Sequence, residues 1–406
     1  MRGRCSRVDT MTDRKLRLGV AGLGRAFQLM LPTLVAHEKL ELVAAADPRP
    51  EARARFAADF AAKTYASVDE LCADPDVEVV YVATPHQFHA GHVAAAALHG
   101  KHVLVEKPMA LTLEDCRAMI DATRRAGVQL VIGHSHSFDA PVKGARDIIA
   151  SGSVGRLRMI TALNFTDFLY RPRRPEELST ETGGGVLYNQ APHHVEIIRL
   201  LGGGKIRSVR ALTGAWDGKR PTEGAYSALL TFEDGAFAAM TYSGYAHFDS
   251  DELEAWLAES GHSKDPNKYG ESRRLLRSAA VDEELALKQA RNYGGSESAA
   301  AALPAGSRFH QHFGFLIASC ERADLRPTAT GVVIYDDVAR RFDAVPVPKV
   351  PRTEVIDEFY DAVVNGMPPL HGGEWSLATM EVCLAMLQSA REGREIVLRH
   401  QVGAPP

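Results

Sequence analysis

The run that decides the fold lies at residues 103–108 and reads Val-Leu-Val-Glu-Lys-Pro. Its apolar, β-branched start is typical of a buried strand in a parallel sheet, because such a sheet is covered on both faces. Ligands of open α/β sheets bind beyond the carboxyl ends of these strands. We therefore expect the strand to deliver the Lys107 ammonium group into a binding cleft.

Strand and helix patterns alternate around this run. The sequence predicts four more strands, at 16–21, 41–46, 77–83 and 128–132. It predicts helices after the strands, at 51–62, 89–99 and 113–126. Thr112 is a suitable N-cap and Gly127 a suitable C-terminal cap for the last of them. This alternation predicts an α/β fold with a doubly wound parallel sheet, and we assign it to a first domain at 15–133.

A glycine turn follows the first predicted strand. Gly22 and Gly24 precede an apolar helical pattern, with Arg25 and Ala26 at its start. Such a turn lets a pyrophosphate approach the N-terminus of the helix, where backbone N–H groups and the helix dipole favour an anion. Phe27 stands where the full fingerprint has a third glycine, so we expect looser strand–helix packing at that point.

Two residues after the second strand bear on the choice of dinucleotide. Asp47 ends this strand, where a carboxylate can accept a hydrogen bond from the ribose 2′-hydroxyl and would repel a 2′-phosphate. Arg49 could instead attract that phosphate. The sequence therefore predicts NAD as the cofactor and leaves NADP open as the alternative.

Beyond Gly133 the pattern changes to longer strands joined by turns. The strongest element is a hairpin, in which strands at 226–232 and 236–242 flank the turn Glu-Asp-Gly. Further strands are predicted at 157–165, 332–335 and 341–347, and amphipathic helices at 355–364 and 377–390. We expect residues 134–406 to form an α+β domain with a mostly antiparallel sheet.

The segment 249–307 interrupts this second domain. It is charged at first and then rich in Gly, Ser and Ala, and it carries helical patterns at 252–259 and 282–290. Long segments of this kind inside a domain are usually functional. We interpret the segment as an insertion between sheet strands that serves as a lid or an interface.

Composition limits the partners and the compartment. A net charge of −4 gives no electrostatic argument for nucleic acid or an anionic membrane. No apolar run reaches the roughly 18 residues needed to span a bilayer. The 5 cysteines are scattered, which is typical of a reducing compartment, and we expect a cytoplasmic protein. Residues 1–14 lack a signal-peptide pattern, and we predict a disordered extension there.

One further run supplies a family resemblance. Residues 183–196 read Gly-Gly-Gly-Val-Leu-Tyr-Asn-Gln-Ala-Pro-His-His-Val-Glu. With the glycine turn and the Glu-Lys-Pro at 106–108, this run resembles the glucose-fructose oxidoreductase/inositol dehydrogenase/MocA (Gfo/Idh/MocA) family. The resemblance implies an N-terminal NAD(P)-binding Rossmann domain and a C-terminal domain for substrate binding and oligomerisation. The large sheet of that second domain would be open-faced and would form a homodimer or homotetramer, because an uncovered face needs a partner.

The resemblance also implies roles for individual residues. Lys107 is placed beside the nicotinamide and the substrate hydroxyl, with a cis Lys107–Pro108 peptide bond. His193 falls on the family's catalytic histidine. Asn189 falls where the family usually has aspartate, so it can orient a hydroxyl group but cannot take a proton. The other positions that line the cofactor are Thr84, Pro85, His86, His89 and Glu106.

Two more runs, at 133–141 and 164–175, resemble the 4,5-dihydroxyphthalate dehydrogenases of aromatic degradation. The implied reaction is NAD-dependent oxidation of a cis-dihydrodiol, with the cis-4,5-dihydrodiol of phthalate as the expected substrate. A dicarboxylate needs forked cationic donors, and three arginines follow the predicted strand at 157–165. The residues expected to contact the substrate are His134, His136, Phe165, Arg171, Arg173, Arg174, Asn189 and His193.

Oxidation of an alcohol by NAD sends hydride to the nicotinamide while a base takes the hydroxyl proton. His193 is the candidate base, because an imidazole titrates near neutral pH. Lys107 can share the proton or stabilise a developing alkoxide.

Other functions stay open at this stage. A sugar or inositol dehydrogenase would use the same scaffold, and folds of this kind also host non-catalytic dinucleotide-binding regulators. The 16 histidines suggest a metal site through pairs such as His134/His136 and His310/His312, which could instead line the substrate cleft. The resemblance implies no metal.

Overall fold

The computed structural model describes residues 14–245, 247–268, 270–278, 281–296 and 309–404. Residues 1–13 of the expected N-terminal extension and residues 297–307 of the insertion lie outside these ranges. Among the described helices, none combines the length and the apolar character that crossing a membrane requires.

The first part of the chain forms a six-stranded parallel sheet. In chain order its elements are β1 (Leu16–Ala21), α1 (Arg25–Ala36), β2 (Leu40–Ala46), α2 (Pro50–Phe60), β3 (Lys63–Tyr65), α3 (Val68–Ala73), β4 (Val79–Val82), α4 (His89–Leu98), β5 (His102–Val105), α5 (Leu113–Ala126) and β6 (Leu130–Ile132). The strand order β3-β2-β1-β4-β5-β6 confirms the predicted doubly wound sheet. The sequence analysis misses β3, whose three residues carry no apolar run, and the short helix α3 that follows it.

The second part of the chain forms a nine-stranded sheet. Its elements are α6 (Ala140–Ala150), β7 (Leu157–Phe165), α7 (Gly185–Asn189), α8 (Ala191–Leu201), β8 (Ile206–Gly214), β9 (Ala225–Phe232), β10 (Phe237–Ser243), α9 (Glu271–Ser278), α10 (Val281–Ala290), β11 (Phe315–Cys320), β12 (Ala323–Thr328), β13 (Gly331–Asp336), β14 (Arg340–Ala344), α11 (Thr353–Val364), α12 (Gly373–Glu392) and β15 (Ile396–Val397). The strand order is β14-β13-β12-β11-β7-β10-β9-β8-β15. Only the β7–β10 pair is parallel, so the prediction of a mostly antiparallel sheet is confirmed.

The second sheet is covered on one face and open on the other. Helices α6, α8 and α12 pack against the covered face. On the open face the side chains of Leu212, Leu229, Phe237 and Phe342 are exposed. The predicted open-faced sheet is therefore present.

Two cores cover the two faces of the first sheet, and each is completed by a helix from the end of the chain. Phe27 and Phe56 on one face share their core with Val355 and Phe359 of α11. The core on the other face includes Leu377 of α12. The first sheet is thus packed partly by residues far downstream in the sequence.

The insertion departs from its predicted secondary structure in two places. The helix expected at 252–259 is wrong, since the chain forms only a short helical turn at Ser250–Glu254. Ala255 and Trp256 then adopt left-handed backbone angles, with φ of 55° and 58°, and these angles end the turn. The second predicted helix is present as α10, and α9 was not predicted.

Phe27 is the point at which the insertion packs against the first sheet. The Phe27 ring is fully buried and its centroid lies 6.0 Å from that of Phe56 and 5.2 Å from that of Tyr293. Tyr293 follows α10 in the insertion, and its hydroxyl donates to the Asp59 carboxylate at 2.5 Å. The expectation of looser packing at Phe27 is therefore wrong, because an aromatic ring from the insertion completes the contact.

We predict that Tyr293→Ala destabilises the first sheet strongly. Removing a buried aromatic ring costs about 3 kcal/mol of unfolding free energy, through lost burial and the cavity that remains. Tyr293→Phe removes only one hydrogen bond and should cost about 1 kcal/mol. Urea denaturation measures both, with Tyr335→Ala as the control, because this side chain lies on β13 of the other sheet and is 37% exposed. Equal losses for Tyr293→Ala and the control would contradict this packing.

Candidate active site

A cleft of about 900 Å³ opens at the carboxyl ends of β1, β4 and β5. Its other walls come from the end of β7, the region around α8, and the insertion. The cleft brings together most of the residues predicted from the sequence, namely Gly24, Arg25, Ala26, Thr84, Pro85, His86, His89, Glu106, Lys107, His134, His136, Arg171, Arg173, Arg174, Asn189 and His193. Gly22, Asp47, Arg49 and Phe165 do not line it.

The glycine turn fits a dinucleotide. Gly22 has φ of +94°, and a Cβ there would lie 3.0 Å from the backbone of Ala83, so only glycine suits the position. At Gly24 the space that a Cβ would occupy is open. Helix α1 begins directly afterwards at Arg25 and has no acidic residue in its first turn. This arrangement leaves the N-terminus of α1 accessible to a pyrophosphate.

Asp47 lies beside this turn, behind the cleft wall. Its Oδ2 accepts a hydrogen bond from the Leu23 backbone N–H at 2.8 Å. Its Oδ1 accepts hydrogen bonds from the backbone N–H and Nε of Arg49, at 2.9 and 3.0 Å. The Arg49 guanidinium is thus engaged by Asp47 and by the Leu23 carbonyl, which makes it less available to a 2′-phosphate. This favours NAD over its 2′-phosphorylated form. A contact between Asp47 and a ribose hydroxyl stays a prediction.

Phe165 points away from the cleft. Successive side chains of a strand face opposite sides of the sheet, and the neighbouring Thr166 lines the cleft. The Phe165 ring instead packs edge-on against Phe248, with centroids 5.9 Å apart. The prediction that Phe165 contacts the substrate thus has no support from the geometry, since the strand alternation turns this side chain to the other face.

Lys107 follows β5 and reaches into the cleft, and the Lys107–Pro108 peptide bond is cis. Its Nζ donates to the backbone carbonyl of Asn189 at 3.0 Å. Burial lowers the pKa of Lys107, and the nearby Glu106 carboxylate opposes this shift. Burial in turn raises the pKa of Glu106, which accepts a hydrogen bond from the Tyr81 hydroxyl at 2.5 Å. The lysine is therefore held by a neutral carbonyl and only indirectly balanced by a carboxylate.

The Asn189 side chain is fixed by backbone groups. Its amide Nδ2 donates to the carbonyl oxygens of Gly183 and Gly185, at 3.1 and 2.8 Å. His86 also approaches Gly183, with Nε2 3.1 Å from the carbonyl oxygen, and burial lowers the pKa of His86 to about 4. His89 is buried between backbone carbonyls, with Nε2 3.0 Å from the Thr84 oxygen. These contacts join the strand ends of the first sheet to the glycine-rich run.

His193 lies on α8 at the base of the cleft. The side chain is buried, and its Nδ1 has no hydrogen-bond partner in the described structure. Burial and the charge of Lys107 lower the pKa of His193 well below the usual value for histidine. The ring centroid lies 4.9 Å from those of His136 and Phe313. His194 faces the sheet instead, where Nδ1 lies 2.8 Å from the Tyr226 hydroxyl oxygen.

His134, His136 and Asp139 form a buried cluster beside His193. Asp139 Oδ2 lies 2.7 Å from Nδ1 of His136, and Oδ1 lies 3.4 Å from Nε2 of His134. Burial lowers the pKa of His134 to about 3, whereas the two imidazoles hold the pKa of Asp139 below its usual range. In the described part of the chain, one ligand atom from each of these three residues lies within 4.8 Å of the other two, so together they could hold a cation. His310 and His312, also suggested for the cleft, bind backbone groups away from it.

The three arginines of 171–174 differ in their partners. Arg171 Nε donates to Asp167 at 3.1 Å, and Arg174 pairs with Glu177. Arg173 instead lies 3.7 Å above the centre of the Phe168 ring and donates from Nη2 to the Phe168 carbonyl at 2.7 Å. Its buried Nε has no hydrogen-bond partner in the described residues. Burial lowers the pKa of Arg173 to about 10, and the nearby Glu177 carboxylate opposes this shift, so the group is charged at neutral pH without an acid in direct contact among the described residues.

The cleft also contains residues that the sequence analysis does not identify. Glu259 of the insertion lines it, and its Oε1 accepts a hydrogen bond from Asn164 at 2.9 Å. Lys264 and Lys288, also from the insertion, and Phe313 line it as well. The charged composition of the insertion is a sequence signal that could have identified these residues. The position of the insertion over the cleft, however, depends on packing that no local pattern encodes.

The chain is similar to known proteins along most of its length. The model of an oxidoreductase family with an NAD-binding Rossmann fold, GFO_IDH_MocA, matches residues 16–134. The model of the GFO/IDH/MocA C-terminal domain matches residues 142–259. The 1-carboxy-3-chloro-3,4-dihydroxycyclohexa-1,5-diene dehydrogenase of Comamonas testosteroni is 48% identical over 378 residues, which span 93% of this chain and 95% of the relative.

Two solved structures are similar along nearly the full length. A protein of Bordetella bronchiseptica RB50 assigned to the dehydrogenases is 44% identical, with a TM-score of 0.89, over 95% of this chain and 100% of that one. The WlbA dehydrogenase of Bordetella pertussis, solved with NADH and UDP-GlcNAcA, has a TM-score of 0.67 over 95% of this chain and 99% of its own. At 22% identity it shows the fold alone. Matches of this extent show that the chain belongs to the GFO/IDH/MocA family of NAD-dependent oxidoreductases.

Proposed function

We propose that this oxidoreductase oxidises a carboxylated cis-dihydrodiol to the corresponding catechol, with the cis-4,5-dihydrodiol of phthalate as the specific substrate. The proposal is based on Arg173, whose mostly buried guanidinium lies in the cleft and whose Nε has no hydrogen-bond partner among the described residues. The Comamonas testosteroni relative supports it, because the name of that enzyme describes a carboxylated dihydroxycyclohexadiene.

Arg173 is suited to a carboxylate for two reasons. A planar guanidinium binds a carboxylate through paired hydrogen bonds, and the Phe168 ring beneath it fixes its plane. A poorly compensated buried cation also gains more from an anionic ligand than an exposed one does. Arg171 and Arg174 already have acidic partners, so Arg173 is the arginine of these three that is left for a carboxylate. This observation favours a monocarboxylated dihydrodiol as the second candidate substrate.

The reacting hydroxyl would lie between Lys107 and His193. NAD, when bound, supplies the hydride acceptor. The Lys107 ammonium can stabilise negative charge that develops on the substrate oxygen, since it lies in a mostly buried site. Asn189 fixes the lysine through its backbone carbonyl, at 3.0 Å from Nζ. His193, kept neutral by its surroundings, is placed to hydrogen-bond the same hydroxyl group.

We expect the purified protein to produce NADH with carboxylated cis-dihydrodiols. The substrates to compare are the cis-4,5-dihydrodiol of phthalate, the cis-dihydrodiol of benzoate, the uncarboxylated dihydrodiol of benzene, inositol and glucose. NADH appearance at 340 nm measures each reaction. A preference for the diacid supports the phthalate assignment, and a preference for the benzoate compound supports the second candidate. Turnover with the polyols alone would contradict both.

The same assay tests the reacting groups. Lys107→Ala and His193→Ala should lose most of kcat and still bind NADH in a fluorescence titration. Full turnover in variants that bind NADH would refute the placement of the hydroxyl between these residues.

We predict that Arg173→Met raises KM for a carboxylated dihydrodiol by about 10-fold to 100-fold. A charge-assisted hydrogen-bond pair of this kind contributes about 1.5–3 kcal/mol. The KM of the uncarboxylated diol should change little, because it lacks the anion. Arg158→Met, which removes an exposed arginine of β7, is the matched control. An equal effect on both substrates would show that Arg173 acts through folding.

We further propose that the open face of the second sheet binds a second copy of the chain. Leu229 and Phe237 lie on neighbouring strands of this face and are exposed in the single chain, which is unfavourable in water. Light scattering should give the mass of a dimer or tetramer. Leu229→Glu with Phe237→Glu should lower that mass, and Leu98→Glu on α4 should not. A monomeric parent protein would refute the proposal.

A further inference from the structure

His136 and Asp139 form a hydrogen-bonded pair that the proposed function does not use. The distance between His136 Nδ1 and Asp139 Oδ2 is 2.7 Å, and both residues are buried. His136 lines the cleft, whereas Asp139 lies behind it. Nε2 of His136 is therefore the nitrogen that is not committed to the carboxylate. An acid that fixes one imidazole nitrogen and leaves the other towards a substrate is the arrangement found in general-base catalysis.

His193 differs from His136 in its surroundings. No carboxylate contacts it in the described structure, its Nδ1 is unpaired, and the Lys107 cation is near. A proton placed on His193 would add a second positive charge beside that ammonium group without a counter-charge. A proton placed on His136 would be balanced by Asp139. The two imidazoles are neighbours, with ring centroids 4.9 Å apart, so one substrate can meet both.

We propose that His136, oriented by Asp139, accepts the hydroxyl proton released when the alcohol is oxidised, and that His193 contacts the hydroxyl as a neutral imidazole. The proposal rests on the proposed function only in needing an alcohol substrate. His136 is then a catalytic residue and Asp139 a positioning residue. In this proposal the proton goes to His136 rather than to His193, the base that the sequence predicts.

The substrate O–H bond breaks, and its proton forms a bond to Nε2 of His136. The electron pair of the O–H bond becomes the second bond of the carbonyl group, while the C–H pair leaves as hydride to the nicotinamide. Carbon is oxidised and NAD is reduced, as in the established activity. Asp139 accepts the Nδ1–H of His136 and stabilises the imidazolium that forms.

Phe313 contributes to this environment. Its ring lies 5.2 Å from that of His136 and 4.9 Å from that of His193, centre to centre, and the side chain is buried. An apolar ring against both imidazoles keeps water from that side of them. Less water strengthens the interaction between His136 and Asp139.

The test uses variants of the whole protein with whichever alcohol the parent enzyme oxidises. His136→Ala should lower kcat by about 10²-fold or more, the usual contribution of a general base, and added imidazole should restore part of it. Asp139→Asn should lower kcat by at least about 10-fold with little change in KM. Asp147→Asn, an exposed change of the same kind on α6, is the matched control. His136→Gln guards against a folding defect in the alanine variant and should be as slow.

Two readouts do not depend on turnover. NADH binding, measured by fluorescence, should be the same in all variants, and the purified protein should contain no stoichiometric metal. Rescue by imidazole with intact NADH binding supports the proposal. It is overturned if His136→Ala and His136→Gln keep more than half of kcat, or if imidazole restores nothing in a variant that binds NADH. It is also overturned if one bound metal ion is found whose removal abolishes activity, because His134, His136 and Asp139 would then be ligands.

The outcome is separable from that of the proposed function. Any alcohol substrate releases the same proton, so the variants can be compared on a polyol if the carboxylated diols fail. If the carboxylated diols are not turned over but the His136→Ala variant is slow with another alcohol, the substrate assignment fails and His136 remains the proton acceptor. If the carboxylated diol is turned over and the His136→Ala variant is fully active, the substrate assignment stands and His136 is not the proton acceptor.

Discussion

Helix α8 is buried along its whole length, and its charged residues are paired with α12. Arg199 donates to the Trp375 carbonyl and the Thr379 hydroxyl, at 2.7 and 2.8 Å, and stacks on the Trp375 indole. Glu196 accepts hydrogen bonds from the same two side chains. Breaking one partner of such a buried network leaves an uncompensated charge, which costs about 3–5 kcal/mol. His193 is therefore carried on a helix that cannot shift without losing these contacts.

The same helix brings the two sheets together at the cleft. Lys107 arrives from the end of a strand in the first sheet, and its Nζ contacts the backbone just before α8 begins. Both groups at the reacting position thus depend on where α8 lies. This explains why the site can be precise although its residues are far apart in sequence.

Charge balance in the cleft is uneven. Arg171 and Arg174 have acidic partners three or four residues away in the chain, and Lys264 pairs with Asp249 and Asp251 in the insertion. Arg173 and Lys107 are held mainly by carbonyl oxygens. A cation that is buried against neutral groups is under-compensated, so the arrangement favours an anionic ligand. Under the proposed function, the carboxylate of the substrate binds at Arg173, where the guanidinium has no acid in direct contact among the described residues.

Much of the fold could be predicted because its information is local. The strands of the first sheet are apolar runs that end at turn residues, and the glycine turn places α1 without reference to other parts of the chain. Thr112 and Gly127 mark the ends of α5 as expected, with the Thr112 side chain accepting from the Asp115 N–H and Gly127 at φ of 67°. The strand-end argument for Lys107 and the family resemblance for His193 predicted a shared cleft, and both residues line it.

Two errors come from local signals that the family motif overrides, and one comes from packing that no local pattern contains. The three arginines looked equivalent, although the spacing of Asp167 and Glu177 from Arg171 and Arg174 could have indicated pairing. The motif alone predicts that Phe165 contacts the substrate, but strand alternation turns this side chain away from the cleft. The His136–Asp139 pair was not recognised, because an imidazole and a carboxylate three residues apart are common in loops. Only the packing against His193 gives that pair its significance.

The docking of Tyr293 has a consequence for the order in which the chain can fold during synthesis. Residues are made from the N-terminus, so β6 emerges long before the ring that packs on Phe27 and Phe56. Val355 and Phe359 of the same core come later still. Leu377 of α12, in the core on the opposite face, is also made late, so both apolar faces of the nascent first sheet stay incompletely covered until almost the entire chain has left the ribosome. The nucleotide-binding part of the chain is contiguous in sequence, but it cannot complete its packing when only its own residues have been synthesised.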